Sequence, residues 1–441
     1  MKAIIVPGVT DLNKGDQALV WEAHRLIKDT NLYDKVYILS SGSTEEEKIR
    51  LCQQSLDKGY EMIDNILRHP RKGKHRNEEY IKESSVEMIR QIKNAVFDFL
   101  CTAFLLLICN KLVLVKKIFS IKIYQTVKQF KEADAVFVKG GGFVHAYGEK
   151  TAPYLMWYFL FYVRLAKRLN KMVIFLPNSY GPFDGFTVKN QVRKVFSQLD
   201  LVYARECVSA ESLGNLLNKK IVEEMDLGFF LQKGEEKKAI EMLAKYNLSD
   251  SDRIIGITVR PWRFPGSQNS KELYLQYIKS VTDLVHHIVG KGYKVALCNQ
   301  SLGPNSHEDD RNAIQDLLKG IKHSSVVWIN ENLTCEELKA LYSNFYFFVG
   351  TRFHSIIFSL TSLIPSIAIG YGGNKARGIM SDFNLDEFVI QIDDVESDLL
   401  ISTFDNAIGR YNEIKHKLSR SMVSVLESRN RLIKDIQSLY K

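Results

Sequence analysis

Short runs of β-branched and aromatic residues alternate along the chain with longer stretches in which apolar positions recur every three or four residues. This is the pattern of βαβ units and parallel sheets. The first set of strand runs is "AIIVPG" (3–8), "KVYILS" (35–40), "ADAVFVKG" (133–140), "KMVIFLPNS" (171–179), "LVYARE" (201–206) and "EEMDLGFF" (223–230). After a polar, charged segment at 232–252 the pattern restarts with "RIIGITVRP" (253–261), "YKVALCNQ" (293–300), "SVVWIN" (325–330), "YFFVGTR" (346–352) and "PSIAIGY" (365–371). The expected fold class is therefore α/β, with two Rossmann-like domains over 1–232 and 250–396 and a helical segment over 397–441. Two such domains facing each other leave a cleft at the C-terminal ends of their strands, where open sheets bind ligands.

Residues 60–130 break the alternation. "LRHPRKGKHR" (67–76) is strongly basic, and "FLCTAFLLLIC" (99–109) is apolar except for one threonine. A spanning helix needs roughly 20 apolar residues, and here Asp98, Asn110 and Lys111 interrupt the run. Two readings stay open. One is a buried helix beside a solvated basic loop; the other is an interfacial element with apolar residues inserted in an anionic membrane and Arg68, Arg71, Lys72 and Lys74 on its phosphates.

Composition narrows the class without naming a function. The 441 residues are 45% hydrophobic and 25% charged, as in ordinary soluble proteins. A formal charge of +9 favours acidic partners such as phosphates, anionic lipid or nucleic acid. No RRM, KH, helix-turn-helix or zinc-finger signature is present, which argues against nucleic acid. The six cysteines form no CxxC pair or zinc spacing, and the histidines show no ligand spacing, so neither a disulfide framework nor a metal site is expected. Free thiols, and a start that runs straight into a strand, predict a cytoplasmic protein.

Candidate chemistry sits at strand ends. In "KGGGFVHAYG" (139–148) His145 stands where the third glycine of GxGxxG belongs, and no Walker A sequence occurs, which disfavours a dinucleotide or P-loop enzyme. Gly140, Gly141 and Gly142 can still admit a ligand close to the backbone, or simply make a tight turn. In "GTRFHSIIFSLTSL" the strand ends at Gly350 and a helix begins near Phe353. Arg352 and His354 are thus placed at a helix N-terminus, where free N–H groups and the dipole favour an anion. Arg352 supplies a planar fork for an oxyanion, and His354 a proton carrier that titrates near neutrality.

These residues carry a resemblance to the polysaccharide pyruvyl transferase family. The "GTRFHSIIFSLTSLIPSIAIGYGGNK" run is similar to the family's C-terminal motif, and "NKGDQAL" (13–19) to its N-x-GD-x-AL loop. "VKGGGFVHAY", "LPNSYGPF", "YARECVSAESL" and "MDLGFF" follow in the family's order, while the insertion at 60–130 lies outside it. The resemblance implies a GT-B-like fold and transfer of the enolpyruvyl unit of phosphoenolpyruvate onto sugar hydroxyls, closed into a ketal. It implies no cofactor beyond that donor substrate. Its acceptor is a sugar or oligosaccharide, free or carried on a polyprenyl diphosphate.

A donor with a carboxylate and a phosphate needs at least two cationic anchors. Arg352 matches the family's R-x-H arginine; Arg205 of "YARE", Arg260 of "TVRPW" and Lys375 are the candidates for the second. His354 is the expected proton-transfer residue, and Asp16 the base or hydroxyl acceptor, with Asn13 beside it. Asn13 and Asp16 could equally cap the helix that follows. Asn178 and Ser179 are expected to line the acceptor pocket. A GT-B glycosyltransferase using a nucleotide sugar and a non-catalytic sugar-binding protein are the alternatives.

Overall fold

The computed structural model describes residues 1–42, 44–68, 85–249, 251–372 and 375–440, with the side chains of 85–88 and 375 left undescribed. The chain forms two compact units: Met1–Asp11 with Leu19–Leu227 and Ser428–Lys441, and Leu12–Ala18 with Gly228–Glu427.

The sheet of the first unit is built from β1 (Lys2–Val6), β2 (Lys35–Leu39), β3 (Met62–Ile63), β4 (Ala135–Val138), β5 (Gly141–Tyr147), β6 (Met172–Asp184), β7 (Leu201–Ala204) and β8 (Val222–Glu223). Their order is β3-β2-β1-β4-β6-β7-β8, with β5 paired to β6, and all pairings are parallel. Ile4 of β1 lies opposite Tyr37 and Val136 in register. Four-residue "AVFV" of β4 is buried throughout, as a strand covered on both faces must be.

Several elements of this sheet depart from the sequence pattern, among them the short strand β3, which lies outside the predicted runs. The glycine run that reads as a turn instead opens β5, whose Val144 and Ala146 are buried while Tyr147 is exposed. Glycines lower strand propensity, which hides this strand in the sequence. Conversely "EEMDLGFF" is no strand beyond Glu223: Leu227–Phe230 is a 3₁₀ turn. Leu227, Phe229 and Phe230 are all buried, and a short buried apolar run reads alike whether it forms a strand or a turn.

Three helices, Ser85–Ile108, Leu112–Ile118 and Ile121–Glu132, fill the stretch between β3 and β4. Leu105, Leu106, Cys109, Val115, Val127 and Phe130 turn into the core of the first unit. Ile108, Leu112, Ile123 and Tyr124 pack half-buried against that core, whereas Leu100, Leu107, Val113 and Ile121 are exposed. Of the basic run, Leu67 and Arg68 belong to the described residues; Arg71, Lys72 and Lys74 lie outside them.

In the second unit the strands are β9 (Ile254–Thr258), β10 (Lys294–Cys298), β11 (Val326–Ile329), β12 (Phe347–Gly350), β13 (Ser366–Gly370) and β14 (Val389–Gln391). Their order is β11-β10-β9-β12-β13-β14, again parallel. β9, β12 and β13 are buried along their whole length. Phe347 and Phe348 are fully buried, each contributing on the order of 2–3 kcal/mol by removal from water. From β9 the chain moves outward through β10 and β11, then returns to the other flank of β9 as β12. The strand order therefore reverses between β9 and β12, the position where doubly wound sheets bind ligands.

Two helices, Ser397–Gly409 and Tyr411–Ser438, make up the C-terminal stretch. Through Glu427 it belongs to the second unit, and from Ser428 to the first.

Candidate functional site

Arg260, Arg352, Tyr371 and the 300–310 segment all follow the C-terminal ends of strands in the second unit. The backbone after β12 is held by Thr351, whose N–H donates to the Thr258 carbonyl at 3.0 Å. The fully buried Tyr277 hydroxyl joins both strand ends, lying 2.8 Å from Thr351 Oγ1 and accepting from the Arg260 N–H at 3.3 Å. Arg352 itself is extended and caps the helix Phe353–Leu360. Its carbonyl accepts from Ser355 N and Ser355 Oγ, and that hydroxyl also meets Thr258 Oγ1 at 2.8 Å. The helix start is thus pinned to the sheet at the reversal point.

The guanidinium of Arg352 is not an open fork. Its Nε and Nη2 reach Asp310 Oδ1 at 2.8 and 2.5 Å, and Nη2 also donates to the Glu308 carbonyl at 2.9 Å. Asp310 Oδ2 accepts the Gln300 and Ser301 amides at 3.0 and 2.8 Å. Burial pushes the Asp310 carboxyl up, while Arg352 and the two amides push against it. With donors on both oxygens, the geometry fits the ionised form. Arg352 is correspondingly held in its charged state: burial opposes the charge, and Asp310, Tyr371 and Glu308 outweigh it. The expected anion-binding fork is spent on the protein's own carboxylate.

Arg260 presents the contrasting case. Its guanidinium stacks on the rings of Tyr371 at 4.1 Å and Trp262 at 4.6 Å. It is 9% exposed, and its Nε is buried with no hydrogen-bond partner among the described residues. Burial lowers its pKa, and neighbouring Arg352 adds to the lowering. A buried donor costs free energy until an acceptor arrives. Glu308, half-buried, completes the group: burial raises its carboxyl, Asp16 and Asp310 raise it further, and Arg352 and Arg260 oppose them.

The "NKGD" loop belongs to this same unit. Asn13 bridges to Ser301, the Lys14 N–H donates to the Gln300 carbonyl at 3.0 Å, and the Leu302 N–H to the Leu12 carbonyl at 2.7 Å. Lys14 is buried and its Nζ donates to Asn332 Oδ1 at 2.7 Å. Asn13 Oδ1 accepts from the amides of Gly15 and Asp16 at 3.0 and 3.3 Å, which is the capping role. Gly15 packs directly on the His354 imidazole: a Cβ there would collide with Nδ1 and lie 2.6 Å from Cγ. The sequence-predicted residues Asn13, Asp16, Arg260, Arg352 and His354 are therefore gathered in one unit.

The remaining candidates are placed differently. Lys375 opens the helix Lys375–Asp382, and its side chain lies outside the described residues. In the first unit, Arg205 Nη1 binds Asp226 at 2.6 Å and its Nε binds Ser179 Oγ at 2.7 Å, so it too is engaged by its own neighbours. Asn178 is fully buried with its Nδ2 on the Lys139 carbonyl, and Ser179 is buried between Arg205 and Glu206. Neither presents the open surface expected of an acceptor pocket. Gly140 closes on the Pro177 carbonyl, 2.9 Å from where a Cβ would stand, and Gly141 has a φ of +137°. Gly140 thus needs its missing side chain for strand packing, while Gly141 and Gly142 are strand residues of β5.

Sequence reasoning missed Glu308, Asp310, Lys14, Trp262 and Tyr371. The acidic "HEDD" cluster (307–310), between a strand end and a helix start, was the available signal for the first two. Among the described residues no group of three His, Cys, Asp or Glu is placed to hold a metal ion.

Two parallel Rossmann-like sheets define a GT-B-like protein, and solved structures of that fold superimpose on the whole chain. S. aureus MnaA in a UDP co-structure matches with a TM-score of 0.58 at 10% identity, covering 100% of this chain and 96% of that one. UDP-GlcNAc 2-epimerase from Neisseria meningitidis bound to UDP-GlcNAc gives 0.54 at 13%, covering 99% and 100%. UGT73P12 of Glycyrrhiza uralensis gives 0.58 at 9%, covering 100% and 96%. The sequence is more specific: residues 13–373 match the polysaccharide pyruvyl transferase model, and the chain belongs to that family. It is also 24% identical over 318 residues to the amylovoran biosynthesis protein AmsJ of Erwinia amylovora, covering 71% of this chain and 74% of that protein.

Proposed function

We propose that the chain transfers the three-carbon unit of phosphoenolpyruvate onto two hydroxyls of a sugar, forming a pyruvate ketal during exopolysaccharide assembly. The pathway assignment leans on the likeness to AmsJ, a protein of amylovoran biosynthesis by its name. The single observation that carries the donor is Arg260, a buried cation with an unused donor at the strand-order reversal. A carboxylate or phosphate oxygen there would satisfy Nε, and the adjacent helix N-terminus favours the same charge.

The chemistry then needs a proton delivered to C3 of the donor, which leaves C2 cationic. One sugar hydroxyl adds to C2, phosphate departs, and a second hydroxyl closes the ketal. Of the two hydroxyl protons released, one balances that taken up at C3 and the other leaves with phosphate. His354 is assigned the proton transfer, and Asp16 with Glu308 the acceptor hydroxyls. Arg352 positions: by holding Asp310 it orients the 300–310 segment and the helix start. The acceptor is a sugar, free or carried on a polyprenyl diphosphate. A cytoplasmic location follows from the donor, and the buried free thiols of Cys52, Cys109, Cys298 and Cys335 fit a reducing compartment.

Incubation with phosphoenolpyruvate and candidate sugar acceptors should give an acceptor heavier by one ketal and an equal amount of phosphate, read by mass spectrometry. Transfer from a labelled nucleotide sugar instead, or an unchanged acceptor mass across the acceptor panel, would overturn the reading. His354→Gln should keep donor binding, measured by calorimetry, and lose at least about a hundredfold in turnover. Normal turnover in that variant would make His354 a packing residue.

A further inference from the structure

The helix Ser85–Ile108 carries two opposed stripes. Asp98, Thr102 and Leu105, followed by Cys109 just past the helix end, recur every three or four residues and face the first unit's interior, all of them buried. Asp98 accepts from Tyr154 Oη and the Arg68 amide, and Thr102 from Trp157 Nε1. The opposite stripe, Ile92, Val96, Leu100 and Leu107, should be polar if water covered it. It is apolar and exposed, with Leu100 at 59% and Leu107 at 73%. Val113 and Ile121 of the following helices are also exposed, at 70% and 61%.

The stretch Ile89–Ile108 is long and apolar enough to cross a bilayer, and 22% of it is buried. Crossing is incompatible with its packed side, which includes a buried, hydrogen-bonded carboxylate belonging to the protein core. A helix held along one face by its domain and apolar along the other is built to lie in an interface. At 1.5 Å per residue the stripe from Ile92 to Leu107 is about 23 Å long.

Charge selects the occupant. Residues 89–131 contain eight basic side chains and one acid, the buried Asp98. Lys111, Lys116, Lys117 and Lys122 are among them, next to the exposed apolar residues. A second copy of the chain would bring the same cations against themselves, which costs specificity and affinity in a self-complementary contact. An anionic lipid surface satisfies both properties at once. The same helix also borders a groove of ≈ 1130 Å³, lined by Ile92, Val96, Phe99, Trp157 and the 83% exposed Phe186, which has room for an acyl chain.

We infer that the 89–121 helical face is a peripheral membrane-docking surface for anionic lipid, holding the enzyme on a bilayer without spanning it. The inference rests on the first unit alone and stands or falls separately from the donor assignment. Flotation of the full-length protein with phosphatidylcholine vesicles, with and without about a third phosphatidylglycerol, should show binding to the anionic vesicles. That binding should fall as salt is raised from about 0.1 M toward 1 M.

The double variant Leu100→Glu/Leu107→Glu should lower vesicle binding at least tenfold while keeping the circular dichroism spectrum and the activity on a soluble acceptor. Lys116→Gln/Lys117→Gln should weaken binding and flatten its salt dependence. Absence of vesicle binding by the intact protein at low salt, or unchanged binding by the glutamate variant, would overturn the proposal. So would a concentration-dependent dimer, seen by light scattering and abolished by Leu107→Glu, with no vesicle binding.

Discussion

Arg260 and Arg352 lie within each other's electrostatic reach, yet their surroundings predict opposite outcomes on substitution. Removing Arg352 leaves the fully buried Asp310 carboxyl short of its main partner, so Arg352→Met should cost about 3–5 kcal/mol in thermal or urea unfolding. Removing Arg260 relieves a buried cation that lacks a hydrogen bond at Nε among the described residues. Arg260→Met should therefore leave stability unchanged or slightly higher, and raise KM for phosphoenolpyruvate at least tenfold. A marginally altered KM in a folded Arg260→Met protein would remove Arg260 from the proposed donor site. The same logic ranks Arg205 with Arg352, since Asp226 and Ser179 already occupy it.

At the scale of elements, the helix Lys14–Asp29 does two jobs along its length. Its first turn meets the His354 ring through Gly15, where only a hydrogen fits. If His354 has the proton-transfer role proposed for it, Gly15→Ala should push the imidazole aside and cut turnover at least tenfold, because a displacement of about 1 Å is enough to misalign such a group. Thermal stability should change far less, since the helix gains an alanine. Further along, burial and nearby Lys28 lower the His24 pKa from 6.5 to about 4, with its ring 4.5 Å from Tyr60. Between those pH values the unfolded chain takes up a proton that the folded helix refuses. The His24 contribution is thus complete above pH 6.5 and lost as pH falls through the window, by on the order of 3 kcal/mol. His24→Phe should flatten that part of the stability profile in denaturant titrations at stepped pH.

For the whole molecule, the last residues of the chain help complete the first unit. Glu224 is buried and accepts from Ser428 Oγ at 2.6 Å and from Arg431 Nε at 2.7 Å, while Asp435 accepts from Tyr203 Oη at 2.9 Å. Truncation after Glu427 should strand the Glu224 carboxylate and destabilise the first unit by about 3–5 kcal/mol. Glu224→Gln in the truncated chain should recover part of the loss, because an amide is cheaper to bury than an unpaired charge. A truncated protein with an unchanged melting temperature would show that these contacts are dispensable.

Alternation of strand and helix, the restart of the pattern after residue 252, and the helix start at Arg352 were determined by the sequence itself. Each follows from local rules: β-branched runs form buried strands, and a helix begins where apolar periodicity begins. The glycine-rich strand β5 escaped them because pairing to β6, a long-range contact, outweighs glycine's poor local propensity. Tertiary structure alone decided which arginine is open. In sequence Arg205, Arg260 and Arg352 are all cations at strand ends, with Arg352 favoured by its motif; only packing shows that Asp226 and Asp310 neutralise two of them, Arg352 included, while Arg260 stacks on Trp262 and Tyr371. The apolar run at 99–109 divides in the same way. Its helical period was legible, but which side meets the core depends on partners such as Tyr154 and Trp157, some fifty residues away along the chain. Local propensity specifies elements because its energies act over a few residues, whereas charge pairing and burial are settled by neighbours that only the folded chain assembles.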